Sequence, residues 1–358
     1  MKAIADAGHS VDVIAQDSHG FYLLTKEKEP ELLVASSVWR RTGSFGFYHD
    51  LFVATLRSVE RNRYDVLYLR EPAVWFKFNR ISRLCRRLGT KIVVEIPTHP
   101  IRREIKKEKN IIKRAVRLRS YYYEKHRNKC IDLYVLIGEE ANGIYNGRPA
   151  VNINNGIDVS SKKLRKNKEL SGPLESINML ALSVMVYWQG YDRIIEGMKS
   201  YKGDTSVYLH LVGNDADGTL EKLQKLAEQY HLENNVVVHG PLYGDALDRI
   251  FDECDVGIGT LGLYRKGMKK SSVLKIRDYM SRGLPFIHAT EDSDIEKAVF
   301  GQMIVPNDDS PIDIAAVLCF AENCNNDVNC IRNMRDFAMR NLTWNLQIQK
   351  MIDAIHEL

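Results

Sequence analysis

At 358 residues the chain is too long for one ordinary domain and long enough for two sizeable cores. Hydrophobic residues make up 44% and charged residues 27%, which excludes a disordered chain. The 51 basic and 46 acidic side chains leave a net charge of +5, too small an excess to require nucleic acid as a partner.

The chain opens on Lys2–Ala7, which reads as a helix closed by Gly8, followed by a strand at Val11–Ala15. A doubly wound domain ordinarily opens on a strand and a Gly-rich turn, so the sequence reads as lacking its first strand. Further apolar runs at Val66–Leu69, Lys91–Glu95 and Leu133–Ile137 predict strands in the N-terminal half. The C-terminal half predicts them at Asn178–Leu182, Val207–Val212, Val236–His239, Val256–Gly259, Phe286–His288 and Met303–Val305. Most runs are continuous rather than alternating, as in parallel strands covered on both faces. Amphipathic stretches at Gly190–Lys199, Gly218–Tyr230 and Asp245–Cys254 predict helices between them. This alternation argues for an α/β chain of doubly wound sheets.

Residues 101–129 are strongly basic, with an apolar stripe at Ile101, Ile105, Ile112, Val116 and Tyr123. A basic amphipathic helix suits an anionic membrane surface, while the bland alternative is a solvated helix over a core. Asn155–Pro173 is polar and aperiodic and reads as a linker. The end, Ile331–Leu358, reads as helical. Six cysteines, none in a C-x-x-C pair, read as reduced thiols rather than disulfides or zinc ligands. No apolar run reaches the ~20 residues that span a bilayer, and the N-terminus has no signal-peptide layout. A cytoplasmic protein is expected, on or off the inner face of the membrane.

The segment from Gly257 to Pro285 carries the most chemistry. A strand ends at Gly259, a basic loop with Arg265, Lys266, Lys269 and Lys270 follows, and a helix is predicted from Ser271 or Ser272 to Ser281, with either serine as N-cap. Helix N-termini attract phosphate, and ligands of open α/β sheets bind beyond the strand C-termini, where this loop falls. Lys275 and Asp278 lie three apart on one predicted helical face, suiting a diphosphate and a ribose diol. Asp215 and Asp217 have the spacing of a metal motif but fall in a polar loop, so no metal site is expected.

The pattern Ser272-x-Leu274-Lys275-x-x-Asp278-Tyr279-x-x-x-Gly283-x-Pro285 resembles the donor-site helix of retaining GT-B glycosyltransferases of the family 4-like group, which includes polysaccharide and lipopolysaccharide enzymes. Ala7–Val11, Asn155–Asp158, Trp188–Glu196, Leu211–Gly213, Val238–Gly240 and Thr343-Trp344 resemble other segments of that group, in its order. The resemblance implies two Rossmann-like domains facing a central cleft: an acceptor-side domain at 1–160, a nucleotide-sugar-binding domain at 161–340, and a C-terminal helix at 341–358 packing back toward the first. It implies transfer of a hexose from a nucleotide diphosphate sugar to a hydroxyl of a glycan or lipid-linked acceptor, without a cofactor or metal. The implied site places Arg265, Lys266 and Lys275 on the diphosphate, Ser271 and Ser272 at the helix start, Asp278 on the ribose, Gly213 and Gly240 beside the base, and His99 toward the sugar. Three positions depart from the group. Lys270 stands where it often has a carboxylate, and Val184 and Gln189 stand where it has cations. Those departures keep two alternatives open: a non-catalytic sugar-nucleotide-binding protein, or an epimerase on the same scaffold.

Overall fold

The computed structural model describes residues 2–26, 28–36, 44–70, 78–99, 128–138, 141, 143–166 and 174–358, with scattered residues between 105 and 122. Most of the basic stretch 101–129 therefore lies outside the described residues. The chain divides into two compact units, residues 1–153 with 347–358, and residues 154–346.

The N-terminal unit begins with helix α1 (Lys2–Asp6) and an antiparallel sheet of β1 (Val13–Gln16), β2 (Gly20–Leu24) and β3 (Glu31–Ala35). Asp17 turns the chain between β1 and β2 by accepting the backbone N–H groups of His19 and Gly20, at 2.7 and 2.9 Å. Helix α2 (Ser44–Arg61) leads to β4 (Val66–Arg70), α3 (Phe78–Leu88) and β5 (Lys91–His99), and then to β6 (Leu133–Gly138), β7 (Ile144–Tyr145) and β8 (Arg148–Ile153). These five strands form one sheet in the order β4-β5-β6-β8-β7, parallel except for the β7–β8 hairpin. β6 reads Leu-Tyr-Val-Leu-Ile-Gly and is buried on both faces from Leu133 to Ile137, as expected of a central parallel strand.

The second unit is one parallel sheet in the order β11-β10-β9-β12-β13-β14. Its strands are β9 (Ser176–Leu182), β10 (Ser206–Val212), β11 (Val236–Gly240), β12 (Val256–Ile258), β13 (Phe286–His288) and β14 (Gln302–Ile304). The crossover helices are α4 (Asp192–Ser200), α5 (Thr219–Gln229), α6 (Gly244–Glu253) and α7 (Leu274–Arg282), followed by α8 (Ile314–Asn326) and α9 (Cys330–Asn341). A last helix, α10 (Trp344–His356), buries Met351 and Ile352 with Val93, Leu133, Val135, Ile137 and Ile153 of the first unit.

Chain order reverses between β9 and β12: β10 lies on one side of β9 and β12 on the other. That is the topological switch point, where open α/β sheets bind ligands. The registered pairs of β9 and β12 end at Gly257 opposite Leu180. Tyr279 of α7 fills the split beyond. Its hydroxyl accepts the Leu182 N–H at 3.1 Å and lies 3.0 and 3.2 Å from the Leu180 and Ile258 carbonyls. Position 257 must be glycine for this, because a Cβ there would stand 2.7 Å from the Tyr279 ring. The α7 helix is thus set into the mouth of the switch point.

The residues read as a linker belong in part to this unit. Ile157 and Val159 are buried in its core, and Arg165 is 4% exposed. At Asn155 and Arg165 the polar groups serve hydrogen bonds to folded neighbours. Asn155 donates from its N–H to Ser272 Oγ (2.7 Å), and its carbonyl accepts from Arg277 Nε (2.9 Å).

Candidate functional site

The loop after β9, residues 183–191, and the loop after β12, residues 259–273, meet at the C-terminal mouth of the switch point. Their backbones touch at two glycines. Gly190 adopts φ +73°, and a Cβ on it would lie 2.6 Å from Gly262 N. The Leu261 N–H donates to Gln189 O at 2.9 Å. Arg265 locks the same contact. It forks onto Asp192 (2.9 and 2.7 Å), reaches Asp309 (3.1 Å), and donates to the Tyr187 carbonyl (2.7 Å). Hydrogen bonding to Asp192 is the main cause that raises the Arg265 pKa, so this guanidinium is firmly charged and already neutralised by protein.

Lys275 is different. It lies in the first turn of α7, is 7% exposed, and points into the mouth. Its ammonium donates to Tyr191 OH (2.7 Å), Gln189 Oε1 (2.8 Å) and the Gly259 carbonyl (3.0 Å). The Tyr191 ring centroid is 4.9 Å away, and Tyr191 OH in turn meets Ser183 Oγ at 2.9 Å. Gln189 Oε1 also accepts from Thr260 Oγ1 at 3.2 Å. All three partners of Lys275 are formally neutral, and burial holds its pKa well below the ordinary lysine value. A buried cation without a counter-charge favours arrival of an anion.

The other predicted residues fall as follows. Lys266 lies over the Trp188 ring, 4.9 Å from its centroid. Gly213 follows β10 with φ +140°, and a Cβ there would lie 1.8 Å from the Ser183 carbonyl, so close backbone approach requires glycine. Its N–H donates to Gly240 O at 2.9 Å. Gly240 has φ +67° but open space around its Cβ position, so conformation alone favours glycine there. His99 ends β5 of the other unit, opposite Gly138, and its side chain lies outside the described residues.

Neither serine caps α7. The N-cap is Val273, and no side chain caps the helix. Ser271 donates its N–H to Glu291 O (3.1 Å), and Ser272 Oγ accepts from Asn155 instead. The serines tie neighbouring segments together and leave the first-turn amides of α7 without a side-chain cap. Asp278 shares no partner with Lys275. It accepts from Arg282 Nε (2.8 Å) and lies 3.8 Å from Lys162 Nζ. Lys270 is exposed, with its backbone bridged to Glu291. Asp215 and Asp217 are engaged in local turns through the Thr219 N–H, at 3.1 and 3.2 Å. Among the described residues no group of three His, Cys, Asp or Glu forms a metal site.

The segment from Gly257 to Pro285 supplies Lys275, the Gly259 carbonyl and Thr260, but not the rest of the surroundings. Ser183, Gln189 and Tyr191 come from the loop after β9, far away in sequence. The one sequence signal for them was the Trp188–Glu196 stretch, which marks a loop–helix junction but not the direction of its side chains.

Residues 163–262 match the family model described as Glycosyl transferases group 1. No curated protein matches the sequence. Among solved structures, sucrose-phosphate synthase from Thermosynechococcus elongatus is similar over 99% of this chain and 91% of its own, at 14% identity and a TM-score of 0.65. Anabaena HepE, crystallised in complex with UDP, is similar over 85% of this chain and 82% of its own, at 15% identity and a TM-score of 0.57. The lipopolysaccharide outer core galactosyltransferase WaaB is similar over 88% and 82%, at 13% identity and a TM-score of 0.52. Identities this low speak for the fold alone, a two-domain Rossmann-like GT-B fold.

Proposed function

We propose, from the premise that this chain is a GT-B glycosyltransferase with a group 1 domain at residues 163–262, that it moves a hexose from a nucleotide diphosphate sugar to a hydroxyl of a glycan or lipid-linked acceptor. In this reading the transfer retains configuration and serves cell-surface polysaccharide biosynthesis on the cytoplasmic side of the membrane. The observation that carries it is Lys275: a buried ammonium with neutral partners, at the mouth of a switch point and in the first turn of a helix. A diphosphate supplies the missing negative charge, and the uncapped α7 amides add to the attraction. As the sugar–phosphate bond breaks, charge grows on the leaving diphosphate, and a preorganised cation out of water stabilises it. Arg265 shapes the pocket through Asp192 and Asp309, Lys266 and the backbone of Ser271 and Ser272 border it, Gly213 and Gly240 admit the base, and Asp278 contacts the ribose. HepE, crystallised with UDP and glucose, favours a UDP-hexose as the first donor to test.

A thermal-shift screen against UDP-, GDP-, dTDP- and ADP-sugars tests the donor site. The fitting donor raises the melting temperature, by about 2.7 kcal/mol of stability at a hundred times its Kd. No shift with any of them would sink the reading. Lys270, standing where a carboxylate is common, favours a second reading in which the site binds the donor without turnover. Stabilisation by a donor with no transfer across an acceptor panel would select it, and conversion of the donor alone would select an epimerase.

We infer that the basic stretch 101–129, most of which lies outside the described residues, offers a contact for an anionic membrane rather than only a solvated face. Among the described residues, α3 is itself a basic amphipathic helix: Phe78, Ile81, Leu84 and Cys85 are buried, while Arg80, Arg83, Arg86 and Arg87 face solvent with no acidic residue in the helix. No described helix is long and apolar enough to cross a membrane. The double substitution Arg80→Gln, Arg87→Gln should weaken binding to phosphatidylserine vesicles by roughly tenfold or more, at about 1 kcal/mol per basic residue. Equal binding of both proteins, or equal binding to neutral phosphatidylcholine vesicles, would refute the contact.

A further inference from the structure

His288 ends β13 and is 2% exposed. A Cβ on Gly259 would lie 2.7 Å from His288 Cβ, so the histidine backs directly on the residue whose carbonyl holds Lys275. Both of its ring nitrogens face oxygen. Nδ1 lies 2.8 Å from the Thr290 carbonyl, and Nε2 lies 3.0 Å from Gln302 Oε1. A carbonyl only accepts, so Nδ1 needs a proton to bond Thr290. Gln302 cannot turn its amide to help. Its Nε2 already donates to the Ile295 carbonyl (2.8 Å) and to the Ala298 carbonyl, so the atom that meets His288 is an acceptor too. The ring therefore satisfies both neighbours only when doubly protonated. A neutral ring leaves one bare nitrogen against an oxygen.

The two neighbours differ in how readily they give way. Gln302 is fixed on β14 by the two bonds its amide donates. Thr290 leads into exposed Glu291, and its own hydroxyl is buried without a partner, so its side chain anchors nothing. The loop it belongs to is zipped to the basic loop of the site. Ala289 donates its N–H to Thr260 O (3.1 Å), Glu291 donates to Lys269 O (2.9 Å), and Glu291 O accepts the Ser271 N–H (3.1 Å). The position of Thr290 thus bears on residues 269–271, just before α7. Burial, the largest influence, holds the His288 pKa below the ordinary 6.5, while its two hydrogen bonds and Asp292 act to raise it and Arg277 to lower it. Asp292 and Arg277 are paired with each other, and Glu296 and Lys297 of the turn beneath Gln302 are exposed. Losing the Thr290 bond while the ring stays buried would depress the pKa further, so a bound proton favours the closed loop.

We propose that His288 is a positioning residue of the donor-site loop, which clamps Thr290 and Gln302 together when doubly protonated and releases Thr290 when Nδ1 gives its proton to water. Nδ1 is the nitrogen that loses it, because Gln302 would otherwise hold its oxygen against a bare Nε2 at 3.0 Å. The neutral ring keeps its one proton on Nε2. Release loosens the Thr290–Glu291 turn and, through it, residues 269–271, while β13 and β14 stay paired. Only the assignment of this loop to a donor site rests on the proposed function. The proton count of the ring does not.

The test needs neither donor nor acceptor. The imidazole nitrogens of the isotope-labelled full chain are followed by NMR from about pH 8 to about pH 5, the range in which histidine ordinarily charges. The His288 signals are those missing from His288→Asn. At the alkaline end the ring should carry its proton on Nε2 alone, and Nδ1 should gain one with a midpoint below 6.5. Across that midpoint the Ser271 and Glu291 amides, corrected for intrinsic exchange, should become roughly two- to tenfold better protected, the worth of one hydrogen bond. In His288→Asn, whose amide offers Thr290 an N–H that does not titrate, protection should not change with pH. The proposal is overturned if the neutral ring carries its proton on Nδ1, or if the ring keeps one charge state throughout. It is also overturned if protection stays flat in the wild-type chain, or rises equally in His288→Asn. Should His288→Asn fail to fold, the ring and the two amides of the wild-type chain, read in one titration, decide alone. A donor screen without any shift would remove the donor reading and leave this titration standing.

Discussion

Replacing Lys275 by methionine is expected to abolish nucleotide-sugar binding and, at the same time, to stabilise the ligand-free protein. The two effects share one cause. The Lys275 ammonium is buried among Gln189, Tyr191 and the Gly259 carbonyl, none of which carries a negative charge. Removing the partner of a buried diphosphate costs roughly 2–5 kcal/mol of binding, or about 30-fold and upward in Kd. Without ligand, methionine fills a similar volume and removes the cost of keeping a charge out of water. Calorimetry should therefore show lost affinity, and thermal melting a raised midpoint. Unchanged affinity would take Lys275 out of the diphosphate site. A lowered midpoint would show that its hydrogen bonds outweigh its burial.

The pH dependence gives the sign independently. Burial lowers the Lys275 pKa well below the ordinary 10.5. Between the lowered value and 10.5 the folded chain holds a neutral amine and the unfolded chain an ammonium, so the unfolded state binds more protons. Stability contributed by this group therefore rises with pH through that window, and its cost is fully present below it. The advantage of Lys275→Met should be largest at the acid side of the window and shrink toward 10.5. A diphosphate favours the charged amine, so donor binding in the window should take up a proton. The binding heat will then vary with the ionisation enthalpy of the buffer.

Much of the second unit was legible because its strands are continuous apolar runs covered on both faces. Asn178–Leu182, Val207–Val212 and Val236–His239 fall within β9, β10 and β11. The antiparallel pieces were not legible in the same way. Expecting a helix after each strand passes over β2 and β3, of which β2 returns from β1 through the short Asp17–Gly20 turn. The β7–β8 hairpin did carry a signal: Asn146 and Gly147 both have positive φ, 49° and 75°, as a two-residue hairpin turn requires. At the site, spacing placed Lys275 and Asp278 on one helical face, yet their charged ends have different partners. Helical periodicity reports direction about an axis. It does not report which side chain meets a neutral pocket and which an arginine. The serines before α7 misled for a related reason, because a hydroxyl that suits a cap also suits a cross-link to Asn155.

Arg277→Met is expected to be the most destabilising single change in the second unit, by roughly 3–5 kcal/mol. Arg277 lies on the same helix as Lys275, two residues on, and is also buried, but its charge is met inside the protein. It forks onto Asp292, with one arm at 2.9 Å, reaches Asp294 at 3.3 Å, and donates through Nε to the Asn155 carbonyl. Both Arg277 and Asp292 side chains are 0% exposed. Methionine would leave the Asp292 carboxylate buried without its cation and release Asn155 from α7. Urea unfolding should show the midpoint fall without a change in slope. Adding Asp292→Asn should recover part of the loss, because the stranded charge goes with it. A loss below about 1 kcal/mol, as for an exposed ion pair, would contradict the buried pair. The contrast explains why only one of two neighbouring buried cations is suited to a ligand. Arg277 meets its carboxylates in the fold, and Lys275 meets none until an anion enters.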